Sequence, residues 1–165
     1  MSIAIRLGAG LVAVALLVGC GPSEPEAGPA EDETNGQTQQ PSENVPNGPI
    51  DVTDVGLVSV SNAGGQVDQQ ATVLDSEAAV GQFAGQFDSS QMAQALSKGY
   101  QRADVPNGEV MVGAVVDISC DPPRDVTVEK TGRGVEITAV PVKSTNQCLV
   151  PVTTVALVSV PEAAV

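Results

Sequence analysis

The side chains best able to do chemistry gather around residue 120, where Asp117, Asp121 and Asp125 recur every four residues beside Cys120. Carboxylates in such a run point first to calcium, an oxygen-liganded cation. An EF-hand loop, however, also needs alternating ligands, a turn glycine and a distal glutamate, and none stands at the right position. Asp121-Pro122-Pro123-Arg124-Asp125 has instead the composition of a turn. Nucleophilic catalysis fares no better. With no histidine in the chain, a serine would need a lysine or a carboxylate as its base. The lysines are Lys98, Lys130 and Lys143, none of them in an SxxK pattern; Ser97-Lys98-Gly99 and Lys143-Ser144-Thr145 only approach one. A glycosidase sets two carboxylates across a sugar cleft, usually with aromatic stacking. Here Phe83, Phe87 and Tyr100 are the only aromatic residues. The expectation is therefore a chain that is not an enzyme, with no cofactor and no metal site. The alternative is an enzyme or calcium-binding module using the carboxylates around Cys120.

Charge excludes further classes. The 165 residues carry a formal charge of −13, and neither histidine nor tryptophan is present. So acidic a surface repels phosphate backbones and anionic lipid headgroups, which makes nucleic acid an unsuitable partner and leaves membrane contact to a hydrophobic anchor.

The N-terminus supplies such an anchor. Arg6 precedes the uncharged apolar run Leu7–Val18, which suits a signal-peptide core but is too short for the roughly 20 residues of a spanning helix. Gly19, Gly21 and Pro22 around Cys20 end any helix there. Leu17-Val18-Gly19-Cys20 resembles the lipobox of bacterial lipoproteins: a branched residue, a tolerated second position, a small third and the cysteine. The resemblance covers the first 21 residues. It implies cleavage after Gly19, a diacylglycerol on the Cys20 thiol, and residence on the extracytoplasmic face of the cell envelope. Removal of residues 1–19 takes Arg6 with it, so the remaining chain, with 20 acidic and 6 basic side chains, stands near −14.

From Gly21 to about Pro49 the sequence is rich in Pro, Gly, Glu, Gln, Ser and Asn, and its acidic residues meet no Lys or Arg. Low hydrophobicity with one sign of charge cannot offset the entropy of ordering, so this segment is expected to be a solvated spacer. Export also places Cys120 and Cys148 in an oxidising compartment, and with Cys20 committed to lipid they are the pair left to form a disulfide. A redox-active pair would show close CxxC spacing and a nearby base; neither is present.

The elements that must hold these residues follow from periodicity. Asp54–Ser61 reads as a strand, Asn62-Ala63-Gly64-Gly65 as a turn and Gln66–Leu74 as a second strand, together suggesting a hairpin. Val80, Phe83, Ala84 and Phe87 recur at helical spacing, and one apolar stripe of this kind serves a core more readily than a ligand pocket. Asp88-Ser89-Ser90 offers N-caps for a second helix with Met92 and Leu96 on one face and Gly99 as its stop. Glu109–Ser119, Asp125–Thr131, Val135–Val142 and Leu149–Val160 then read as strands. Gly132-Arg133 suits a tight hairpin turn with glycine first, in a register that sets Val128 opposite Ile137, Val126 opposite Ala139 and Glu129 opposite Glu136. Val55-Gly56-Leu57-Val58-Ser59-Val60 is echoed by Val155-Ala156-Leu157-Val158-Ser159-Val160, a similarity that two strands in like sheet environments produce without duplication.

These readings predict an α+β fold: an antiparallel sheet of about six strands with one or two short helices packed on one face. The predicted organisation is a lipoprotein signal peptide (1–19), a lipidated Cys20 with an acidic spacer (20–49), and one disulfide-bonded domain (50–165). The expected function is that of a lipid-anchored, non-enzymatic accessory factor, bound to the membrane through Cys20 and binding an envelope protein or ligand. The loops Asp121–Arg124 and Lys143–Gln147, held together by the bridge, are its expected contact surface.

Overall fold

A computed structural model describes residues 45–52, 54–143 and 147–165. The signal peptide, Cys20 and the spacer up to residue 44 lie outside the described residues, as do Ser144, Thr145 and Asn146 of the second loop.

The alternating segments form strands, all paired antiparallel. In chain order they are β1 (Gly48–Pro49), β2 (Val55–Ser61), β3 (Asp68–Val73), β4 (Glu109–Ser119), β5 (Val126–Thr131), β6 (Gly134–Ala139) and β7 (Val152–Pro161), with helices α1 (Glu77–Ala84) and α2 (Ser90–Arg102) between β3 and β4. They make one sheet in the order β1-β5-β6-β3-β4-β7-β2. The architecture is broadly α+β, but the strand number is seven rather than about six. The additional one is β1, whose Gly48 and Pro49 pair with Lys130 and Glu129. Sequence composition assigned these two residues to the spacer; Pro49 lacks a donor, and a two-residue edge strand has no periodicity to read.

The sheet curls because the chain must pass from β1 at one edge to β2 at the other through residues 50–54 alone, a span of at most about 20 Å. Its central strands β4 and β7 are consequently covered on both faces. Met111, Val115, Val155 and Leu157 pack with Leu74 and with Val80, Phe83, Phe87, Met92 and Leu96 of the helical layer. Val112, Ala114, Val116, Ala156, Val158 and Val160 face the other way, onto Val126, Val128, Val135 and Ile137 of β5 and β6. Adjacent residues of β4 and β7 serve opposite cores, which is why these strands read as continuous apolar runs.

The β5–β6 register is as the pattern predicts: Val128 opposes Ile137, Val126 opposes Ala139 and Glu129 opposes Glu136. Burial of Val126, Val128, Val135 and Ile137 outweighs the like-charge pair, and Glu136 also meets Arg133 at 3.9 Å. Gly132-Arg133 forms the tight two-residue turn as expected, closed by the Thr131–Gly134 pair, but its backbone differs from expectation. The positive φ belongs to Gly134 (113°), not Gly132.

Two larger expectations are overturned. β2 and β3 form no hairpin: β2 pairs with β7, and β3 pairs with β4 and β6. The intended turn is diverted because Ala63 is fully buried, its carbonyl accepts from Asp88 N–H (3.0 Å), and the Gly64 carbonyl accepts from Thr153 Oγ1 (2.9 Å). Gly99 does not stop α2, which runs on to Arg102. It is a packing glycine, since a Cβ there would stand 2.8 Å from Leu157 Cδ1. Phe87 is buried in the core although α1 ends at Ala84, so the apolar stripe outlasts the helix.

Candidate functional site

The end of the sheet where β4 finishes and β7 begins carries most of the residues singled out by their chemistry. Cys120 follows β4 directly and is bonded to Cys148 (S–S 2.04 Å, Cα–Cα 5.4 Å). Cys148 N–H donates to Cys120 Sγ at 3.1 Å. The bridge therefore clamps the segment leading into β7 onto the end of β4, and the β5–β6 hairpin lies inside the loop it closes.

The three aspartates do not act together. A bulge in the β4–β7 ladder after Val115 turns both Val116 and Asp117 toward the face of β5 and β6. Asp117 Oδ2 accepts from Ser119 Oγ (2.5 Å), and that hydroxyl also lies 3.0 Å from the Asp121 carbonyl; its single proton serves one acceptor at a time. These contacts fix the chain where it leaves the strand. Asp125 is engaged elsewhere, since its Oδ1 accepts from Val126 N–H (2.8 Å) and its carbonyl from Val140 N–H (2.9 Å), so it starts β5. Asp117, Ser119 and Asp121 line a shallow groove of about 380 Å³ with Gln69, Pro123, Val140 and Val142, and Asp125 lies outside it. Among the described residues no group of three or more His, Cys, Asp or Glu is placed to hold a metal ion.

The remaining candidates are dispersed. Lys130 Nζ donates to the Ala163 carbonyl (2.6 Å) and so ties β5 to the C-terminal 3₁₀ turn Glu162–Ala164. Lys98 lies on the exposed side of α2, far along the chain from Lys143, which together with Arg124 is exposed near the bridge. Phe83 and Phe87 meet edge to face at 5.9 Å within the core, which accounts for the aromatic pair as packing.

What sequence reasoning missed is the apolar surface beside the bridge. Val140, Val142, Leu149 and Val150 are all exposed, Leu149 completely so at 103%. Periodicity put Leu149 and Val150 inside the last strand, yet β7 begins only at Val152. Pro151 was the signal for this: without an N–H it cannot continue a central ladder. Comparison of the chain with protein-family models, with curated proteins and with solved structures finds no match. Among the described residues no helix is long and apolar enough to cross a membrane.

Proposed function

We propose that this protein is a lipid-anchored lipoprotein of the bacterial cell envelope, non-enzymatic, whose folded body binds an envelope protein through the disulfide-clamped end of its sheet. The observation that carries the binding role is the exposure of Val140, Val142, Leu149 and Val150 around the Cys120–Cys148 bridge. An apolar group left in water forgoes about 25 cal/mol for each Å² it could bury, so several held in place by a cross-link favour association with a partner. Asp117 and Ser119, by contrast, are engaged with each other at a strand end, a structural arrangement rather than a poised nucleophile.

The anchor is supported by the lipobox-like Leu17-Val18-Gly19-Cys20 and by cysteine parity, since the Cys120–Cys148 bond leaves Cys20 without a cysteine partner. Two experiments test the two halves. Mass analysis of the membrane-extracted protein should give an N-terminal Cys20 carrying acyl chains, and Cys20→Ala should release the protein from membranes; an unmodified Cys20 refutes the anchor. A photo-crosslinking residue at Leu149 should yield a discrete protein adduct on intact cells while the same residue at exposed Gln94 does not. Equal labelling at both positions refutes the binding surface.

A further inference from the structure

We infer that Asn107 is a site of spontaneous deamidation selected by the fold, its side-chain amide converting to aspartate or isoaspartate, while Asn47 in the same tetrapeptide is protected. The inference requires neither the anchor nor the partner proposed above.

Val-Pro-Asn-Gly occurs twice, as Val45-Pro46-Asn47-Gly48 and as Val105-Pro106-Asn107-Gly108. A third Asn-Gly pair, Asn35-Gly36, lies outside the described residues. Asparagine followed by glycine is open to attack by the main chain on the side chain, because glycine has no Cβ to shield its nitrogen. At Asn107 the Gly108 nitrogen attacks Cγ. The N–Cγ bond forms, the bond from Cγ to the amide nitrogen breaks, and ammonia leaves with the Gly108 proton. Water then opens the cyclic imide. Opening at Cγ gives aspartate; opening at the main-chain carbonyl gives isoaspartate, whose chain runs on through Cγ. Nothing is oxidised or reduced.

Exposure and steric access do not separate the two copies. Both asparagines are exposed, and an added Cβ would meet nothing within 4 Å at Gly48 or Gly108. Hydrogen bonding does separate them. In the first copy Pro49 has no N–H and Ile50 N–H donates to the Val128 carbonyl (2.8 Å), so antiparallel alternation gives Gly48 N–H to the carbonyl of its register partner Lys130. The attacking nitrogen is thereby turned to β5 and its proton engaged.

In the second copy Asn107 and Gly108 are the central residues of a β-turn, closed by Glu109 N–H on the Pro106 carbonyl (3.1 Å), with Gly108 at a φ of 83°. Gly108 stands one step beyond the β4–β7 ladder, where its carbonyl accepts from Glu162 N–H (3.0 Å). The return bond is not made. The chain has by then entered the 3₁₀ turn Glu162–Ala164, and the Glu162 carbonyl accepts from Val165 N–H (3.4 Å). Gly108 N–H therefore has no main-chain acceptor among the described residues.

Conversion reaches the fold through this turn. Isoaspartate adds a main-chain atom between residues 107 and 108, next to the Gly108 carbonyl that holds Glu162 at the end of β7. Either product also adds a negative charge to a stretch that already carries Asp104 and Glu109.

The test incubates the folded full chain in mildly alkaline buffer and follows amide-to-acid conversion at each asparagine by peptide mass mapping. Asn107 should convert about tenfold faster than Asn47, the margin that one main-chain hydrogen bond confers. In the urea-unfolded chain the two should convert at like rates, since the tetrapeptide is the same. The converted fraction, separated by its added charge, should show a lower urea midpoint than the parent, while Asn107→Gln incubated in parallel keeps its own. Equal rates in the folded chain, faster conversion at Asn47, or a difference that persists in urea each overturns the inference. An unchanged midpoint in the converted fraction overturns the coupling of the site to β7.

Discussion

Replacing Gly99 by alanine should destabilise the protein, whereas the same replacement at Gly81 should stabilise it. Both glycines lie inside helices, and in each case alanine gains about 1 kcal/mol of helix propensity. The surroundings decide the sign. Around Gly81 nothing lies within 4 Å of an added Cβ, so the gain is kept. At Gly99 the new methyl would stand 2.8 Å from Leu157 Cδ1 and 3.7 Å from Val58 Cγ2. Leu157 cannot retreat freely: it is 4% exposed, and its other methyl already lies over Gly113, 3.4 Å from where a Cβ would be. Overpacking a core of this kind costs about 1–3 kcal/mol, so Gly99→Ala should lose about 1 kcal/mol net. Urea unfolding followed by far-ultraviolet circular dichroism reads both midpoints. In a Leu157→Ala background the obstacle is gone, and Gly99→Ala should there become stabilising, like Gly81→Ala. If Gly99→Ala raises the midpoint in the parent protein as much as Gly81→Ala does, the account of Gly99 as a packing glycine is wrong.

Two further outcomes follow from local structure. Removing the bridge with Cys120→Ser and Cys148→Ser should cost about 3–4 kcal/mol, the chain-entropy value for a loop of separation 28, measured as a fall in the urea midpoint that reductant reproduces in the parent. Ser76→Ala should cost about 1 kcal/mol because Ser76 Oγ accepts from Ala79 N–H (3.2 Å) at the start of α1, while Ser89→Ala, whose side chain makes no capping bond, should change the same midpoint by no more than a few tenths of a kcal/mol.

The parts of the fold legible in the sequence are those set by neighbouring residues. The bounds of β4 follow from its apolar run, and the β5–β6 register follows from placing Val126, Val128 and Ile137 on one face. The disulfide is legible from cysteine parity, once the expected lipobox sets Cys20 aside. Long-range choices are not. A turn signal at Asn62–Gly65 cannot reveal that its carbonyls are taken by Asp88 and Thr153, so a β2–β3 hairpin looks locally sound while β4 and β7 fill the space between. Gly99 carries the same letter whether it ends a helix or admits a leucine. The aspartates around Cys120 are legible as a cluster in sequence, but a bulge and a turn give Asp117 and Asp125 separate hydrogen-bond partners at separate strand ends.

The echo between β2 and β7 shows how pairing, rather than composition, gives a strand its character. Along β7, Val155 and Leu157 serve the helical core while Ala156, Val158 and Val160 serve the opposite one, and main-chain groups on both sides are bonded to β4 and β2. Nearly the same residues in β2 leave Gly56 and Ser59 exposed and one row of main-chain groups open. Edge strands are ordinarily protected by a lysine, a proline, a bulge or shortness, and β1 shows two of these, proline and brevity. β2 shows none. An open edge of this kind is a liability to aggregation, so Ser61→Lys, which puts a charge on an exposed position of the edge, should make the protein scatter less light on concentration than the parent does.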